Sequence, residues 1–243
     1  MNISLFSFYK SIGATVLFVV LVGSSAKAQW SIFGGPGIAF YQGDIAESTI
    51  PNLKTIRFNA KLGVAYNFHK RWDVRLHGSY GNLHGSDFYT SDPAKNARGV
   101  VFNTRVIDGG VTFKYRDFFK KSGRIMNYAF LGFDYMNIAV SRTVTGNAAL
   151  VAERGFSSSQ FNVPVGFGIG IYLSRHWGLV NEFSYHFALT DYIDGTSLAA
   201  NPKAFDSFIA NHLMLVYSFG GNGSGGGANS SDPGSLKTSC PRF

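Results

Sequence analysis

Glu182, Ser184 and His186 are the residues whose types and spacing come nearest to a reacting centre. A serine hydroxyl becomes a nucleophile when an imidazole takes its proton and a carboxylate orients that imidazole. Lying two apart, the three share one face of an extended strand, as in a small lipid hydrolase built on a sheet. Neighbours on such a face stand about 7 Å apart. That spacing predicts no direct hydrogen bond between them without help from other strands. Other candidates are more scattered. His69, His84, His176 and His212 give no metal-ligand spacing. Asp44, Asp87, Asp191 and Asp194 would make a hard-cation site only if their segments meet, and aspartates there first cap turns. Gly34-Gly35-Pro36-Gly37 precedes no helical pattern, so it is not a phosphate loop. No catalytic residue, cofactor or metal is therefore assigned.

The elements that would carry these side chains are strands. Hydrophobic residues make up 45% of the 243 residues and charged residues 15%, against about 25% charged in an average soluble domain. This composition excludes intrinsic disorder and a helical coiled coil. A single Cys excludes a disulfide scaffold and a multi-Cys metal site. Residues 1–28 read as a signal peptide: Lys10, an uncharged apolar run from Ile12 to Val22, then Ala26-Lys27-Ala28 as the cleavage site. Cleavage there would remove Lys10 and Lys27 from a formal net charge of +8.

From Thr55 to Phe68 apolar and polar residues alternate strictly, a period that fits a strand and not a helix. The pattern recurs in eight segments: 30–42, 55–68, 71–84, 100–116, 126–141, 156–173, 175–190 and 206–219. Arg105 falls on the apolar parity and marks either a bulge or a position above lipid. Short connections alternate with long ones, the long ones being 43–54, 85–99, 142–155 and 191–205. This is the rhythm of an eight-stranded antiparallel transmembrane up-and-down β-barrel over 29–219, with short periplasmic turns and long outer loops. A soluble β-sandwich is the alternative. The strands are long enough for a membrane crossing of about 9–11 residues. Aromatic residues (Tyr66, Phe68, Trp72, Trp177, Tyr217, Phe219) crowd the strand ends, as interface girdles do.

An interior this small is filled by side chains. Arg57, Lys61 and Arg75 are expected to pair there with Asp108, Asp134 and Glu182, leaving a filled polar lumen and no pore. Even strand number puts both termini in the periplasm of an outer-membrane protein. The periplasmic rim then carries Lys70, Arg71, Arg116, Lys120, Lys121, Arg124 and Arg175, beside Lys114. Such a rim contacts anionic lipid headgroups or docks an acidic protein. Nucleic acid is excluded by compartment. Residues 220–243 form a Gly/Ser-rich periplasmic tail, flexible by composition. In an oxidising compartment its Cys240 stays idle or tethers the tail by an intermolecular disulfide.

Three functions fit: a non-enzymatic docking barrel, an outer-membrane lipid hydrolase using Ser184, and an adhesion barrel reading ligands with its long loops. A resemblance favours the first. Phe40-Tyr41-Gln42-Gly43-Asp44-Ile45, Tyr80-Gly81-Asn82-Leu83-His84-Gly85-Ser86-Asp87, Phe130-Leu131-Gly132 and Leu189-Thr190-Asp191-Tyr192-Ile193-Asp194-Gly195-Thr196-Ser197 occur in that order. Together they resemble the PorG-like outer-membrane barrel proteins of Bacteroidota. The resemblance implies a component of the type IX secretion and gliding machinery, one that anchors periplasmic ring proteins of the PorK and PorN kind at the outer membrane. It does not extend to the Gly-rich tail.

Overall fold

The structure, a computed structural model, describes residues 30–43, 45, 53–89, 93–119, 124–146, 158–190, 192–195 and 206–219. The expectations placed on 1–28, on 220–243 with Cys240, and on Asp44, Lys120, Lys121 and Asp191 lie outside these residues, as does most of 142–155.

Eight strands close into one barrel: β1 Trp30–Gln42, β2 Arg57–His69, β3 Trp72–Ser86, β4 Val100–Arg116, β5 Ile125–Val144, β6 Ser159–Tyr172, β7 Trp177–Ala188 and β8 Ser207–Ser218. Each pairs antiparallel with its chain neighbours, and β1 pairs with both β2 and β8. A short helix, α1 (Pro93–Arg98), and 3₁₀ turns at Leu53–Thr55 and Asp87–Tyr89 belong to the long connections. Closure leaves no open sheet edge.

The two-residue period sorts the side chains. Outward residues are large, apolar and exposed: Phe58, Leu62, Leu76, Phe113, Leu131, Phe133 and Leu213 among them, with Leu62 at 72% of its free area. An apolar band of this extent needs a nonaqueous surrounding. At the end with short turns, aromatic rings pair across strands. Trp30 lies against Tyr66 at 4.8 Å, Trp72 against Tyr115 at 5.0 Å and Trp177 against Tyr217 at 4.8 Å. At the other end the band stops near Tyr80 and Ile107, and the next outward positions are Asn82 and Arg105, paired with each other. Register runs unbroken through Arg105 from β3 to β5. It is therefore not at a bulge; it stands where the wall has risen past the apolar band. The irregularity falls instead between Asn67 and His69.

The interior is filled in three layers. Towards the turns lie Phe33, Ala65, Tyr128, Phe130, Val180 and Met214. Towards the long loops lies a larger apolar cluster that includes Tyr41, Phe102, Met136, Ile138 and Phe208. Between the two sits a polar belt that holds Lys61, Arg75, His77, Asp108, Asp134, Glu182 and His186, all buried. Further buried charges lie towards each end, Asp73 at the turns and Asp87, Arg98, Asp194 and Asp206 at the long loops.

Candidate functional site

Register places the belt. Inward positions of adjacent strands meet across the ladder, so residues far apart in sequence converge. Glu182 on β7 gathers two cations: Lys61 Nζ at 3.1 Å and Arg75 Nη1 at 2.5 Å. The Tyr128 hydroxyl donates at 2.6 Å to Oε2, the oxygen that also receives Arg75, while Lys61 takes Oε1. Arg75 also donates to Thr112 Oγ1 at 3.0 Å and lies over the Phe130 ring at 4.7 Å. Buried charge survives only when paired and hydrogen-bonded in this way. Asp108 and Asp134, expected to pair with lysine or arginine, do not. Asp134 Oδ2 is 3.3 Å from His77 Nε2, and Asp108 Oδ2 accepts from Ser79 Oγ at 2.6 Å. Arg57 is not in the lumen pairs either. It sits at the first residue of β2, and its guanidinium donates to the carbonyls of Lys54 and Ile56 at 3.0 and 2.8 Å. At the very start of the strand, it reaches local backbone before it reaches the axis.

Ser184 Oγ and His186 Nε2 are 3.0 Å apart. The two side chains lean along the strand, so the separation expected from strand rise alone is corrected. Glu182 is not their third member, because it is committed to Lys61, Arg75 and Tyr128. Instead His186 Nδ1 meets Asn162 Oδ1 on β6 at 3.1 Å. A hydroxyl, an imidazole and an orienting amide thus stand in line. The imidazole stacks on Phe208 at 4.2 Å, and all three residues are buried beneath the apolar cluster.

The loop end is closed by chain that turns inward. Ile45 and Ile193 insert into the upper cluster. Gly195, at φ 76°, takes a left-handed turn that a side chain would strain. Thr104 Oγ1 donates to the Ile193 carbonyl, and Arg142 donates to that of Gly195. The Tyr41 hydroxyl lies 3.0 Å from Asp194 Oδ2 and 2.5 Å from Asp206 Oδ1. Asp87 receives Arg98 through two nitrogens, at 2.8 and 2.6 Å, and the Val100 amide at 2.9 Å. Asp87 and Asp194 therefore do not converge as cation ligands. Asp87 is taken up by Arg98 and the Val100 amide, and Asp194 by the sequence-distant Tyr41 hydroxyl, so each bonds across the loop end and not within its own turn.

The turn end is different. Asp73 gathers Lys114 at 2.6 Å and Arg116 at 3.3 Å. Arg116 also donates to the carbonyls of His69 and Lys70, so it ties two strands together and is only partly available to a partner. Lys70, Arg71, Arg124 and Arg175 are exposed. Arg71 is steadied by the Tyr115 hydroxyl at 2.9 Å. The Leu173–Trp177 turn closes on itself, and Phe219 N donates to Trp30 O beside it.

Asn162, Ser79 and Tyr128 are contributors that sequence reading missed. Their signal was cross-strand register: once β6 is aligned with β7, Asn162 falls opposite Ala188, beside His186.

Residues 23–194 match the family described as outer membrane protein beta-barrel domain. No curated protein matches the chain. Among solved structures, the chain is similar to Neisserial surface protein A, at 11% identity and a TM-score of 0.49, covering 79% of this chain and 98% of that one. It is similar to OprG from Pseudomonas aeruginosa at 12% identity and a TM-score of 0.44, covering 79% and 96%. Ail, the attachment invasion locus protein of Yersinia pestis, matches at 14% identity and a TM-score of 0.41, covering 79% and 99%.

Proposed function

This chain belongs to the outer membrane protein beta-barrel domain family, and on that premise we propose that it is a non-enzymatic docking barrel of a type IX secretion machinery. It holds periplasmic ring proteins, of the PorK and PorN kind, at the outer membrane. Both termini and the short turns face the periplasm. The sequence likeness to PorG-like barrels supplies the partner class.

The observation that carries this reading is the sorting of charge. Lys70, Arg71, Arg124 and Arg175 are exposed together at the turn end, while the lumen cations Lys61 and Arg75 are consumed by Glu182. Exposed cations clustered on one rim steer and orient an acidic partner. Lys120 and Lys121 extend the same charge in sequence, and outer-membrane lipid headgroups supply a second set of contacts. An intermolecular disulfide through Cys240 would add a covalent tether. Changing Lys70, Arg71, Arg124 and Arg175 together to Glu should abolish co-purification of ring proteins from detergent extracts while the barrel still migrates heat-modifiably. Undiminished co-purification would refute the docking rim.

A lipid hydrolase is the second reading, favoured by the line Ser184–His186–Asn162. Its burial argues against it. Ser184→Ala should leave membrane lipid profiles unchanged; a lost lipid product would promote this reading over the first.

A further inference from the structure

Three belt residues share a geometry that neither docking nor packing requires. His77, Asp108 and Asp134 bring their ligand atoms within 4.8 Å of one another, and all three are buried. Asp108 Oδ1 and Asp134 Oδ1 have no hydrogen-bond partner, although their residues are only 5% and 0% exposed. A carboxylate oxygen left bare in a dry interior is strongly unfavourable. Among the described residues neither acid is in an ion pair with lysine or arginine; both belt cations go to Glu182. Two adjacent negative groups therefore meet one imidazole, with acceptor capacity unspent on each.

The backbone makes room for this meeting. His77 pairs across the ladder with Gly110, and Gly110 pairs with Asp134. A side chain at Gly110 would overlap Asp134 Oδ1. The glycine thus lets side chains from β3 and β5 close over β4, where Asp108 lies two positions along the same inward face. We propose that His77, Asp108 and Asp134 bind one divalent first-row transition ion inside the lumen. The donor set is one imidazole nitrogen and two carboxylate oxygens, which suits zinc, manganese or ferrous iron. Calcium and magnesium prefer all-oxygen shells. Ligand bonds of about 2.0–2.2 Å put neighbouring donors about 3–4 Å apart, a contraction that side-chain rotation supplies. The ion would offset both carboxylates and staple β3, β4 and β5 at mid-membrane. With the lumen filled above and below, it is a structural ion acquired as the barrel folds, and it takes no substrate. The proposal is independent of the docking rim.

The test is to refold the full chain in detergent with Zn²⁺ or Mn²⁺ and strip free metal with a chelator. Retained metal is then counted by mass spectrometry, and the temperature of the heat-modifiable transition is recorded. The expected result is about one ion per chain with a raised transition temperature. His77→Gln, which keeps the volume and both carboxylates, should retain at least about tenfold less metal. Asp134→Asn should do the same. Co²⁺ refolded into the native chain should give visible absorption bands that His77→Gln abolishes, a readout that does not depend on the Asp134 variant folding. Native protein that retains no metal, or retains as much as His77→Gln, overturns the proposal. In that case a proton held among the three groups balances the charge instead.

Discussion

The two ends of this barrel use the same residue types for opposite ends. At the loop end, Asp87, Arg98, Asp194 and Asp206 are buried and bonded to one another or to Tyr41. At the turn end, Lys70, Arg71, Arg124 and Arg175 stand in solvent. Desolvation decides the role. A buried charge must be matched by its own fold, so it reports on architecture. An exposed one contributes little to stability and is left for an encounter. On the proposed docking function, the pattern directs the search for partners to the turns.

The largest effect is expected at the loop end. Asp87→Ala removes the carboxylate that Arg98 pairs with in two places, and should cost about 3–5 kcal/mol in unfolding experiments. A loss under about 1 kcal/mol, within the range of exposed pairs, would mean that solvent reaches this pair and the two ends are alike. Tyr41→Phe comes next. It deletes the hydroxyl bonded to Asp194 and Asp206 and should destabilise by about 1–3 kcal/mol, measured the same way. Smaller still are single changes at the other end. Arg175→Ala or Lys70→Ala should shift stability by no more than about 0.5 kcal/mol, while weakening ring-protein capture. That capture should also fall as salt rises from about 0.05 to 0.5 M, because screening shortens the reach of exposed charge. Capture indifferent to salt would move the contact to the apolar wall.

Much of this was legible beforehand. The eight strands, their order and the polarity of their faces follow from a two-residue period, and β1 and β4 begin and end where alternation does. The Lys61–Glu182 and Arg75–Glu182 pairs join residues already sorted to the inward face. What was not legible depends on register or on aperiodic chain. Which acids receive which cations turns on alignment across several strands, so parity alone pairs Asp108 and Asp134 with cations that Glu182 takes. Arg57 has inward parity but stands at a strand start, where parity says nothing about reach. Ile45 and Ile193 lie in connections with no period, so their return into the lumen leaves no trace in composition. The contact of Ser184 with His186 escapes an estimate from strand rise, because rise measures backbone spacing whereas side chains tilt.

The pairing of β1 with β8 has a consequence for how the molecule is made. Ser31 aligns with Ser218, so the first strand to emerge waits for the last before its second flank is satisfied. Contacts so distant along the chain are slow to form. Until they do, two open flanks of backbone amides and carbonyls cannot enter hydrocarbon without a heavy penalty. Insertion is thereby coupled to completeness: a product truncated before Ser207 has no partner with which to seal β1, and is held back from the bilayer by the same hydrogen bonds that make the finished protein permanent.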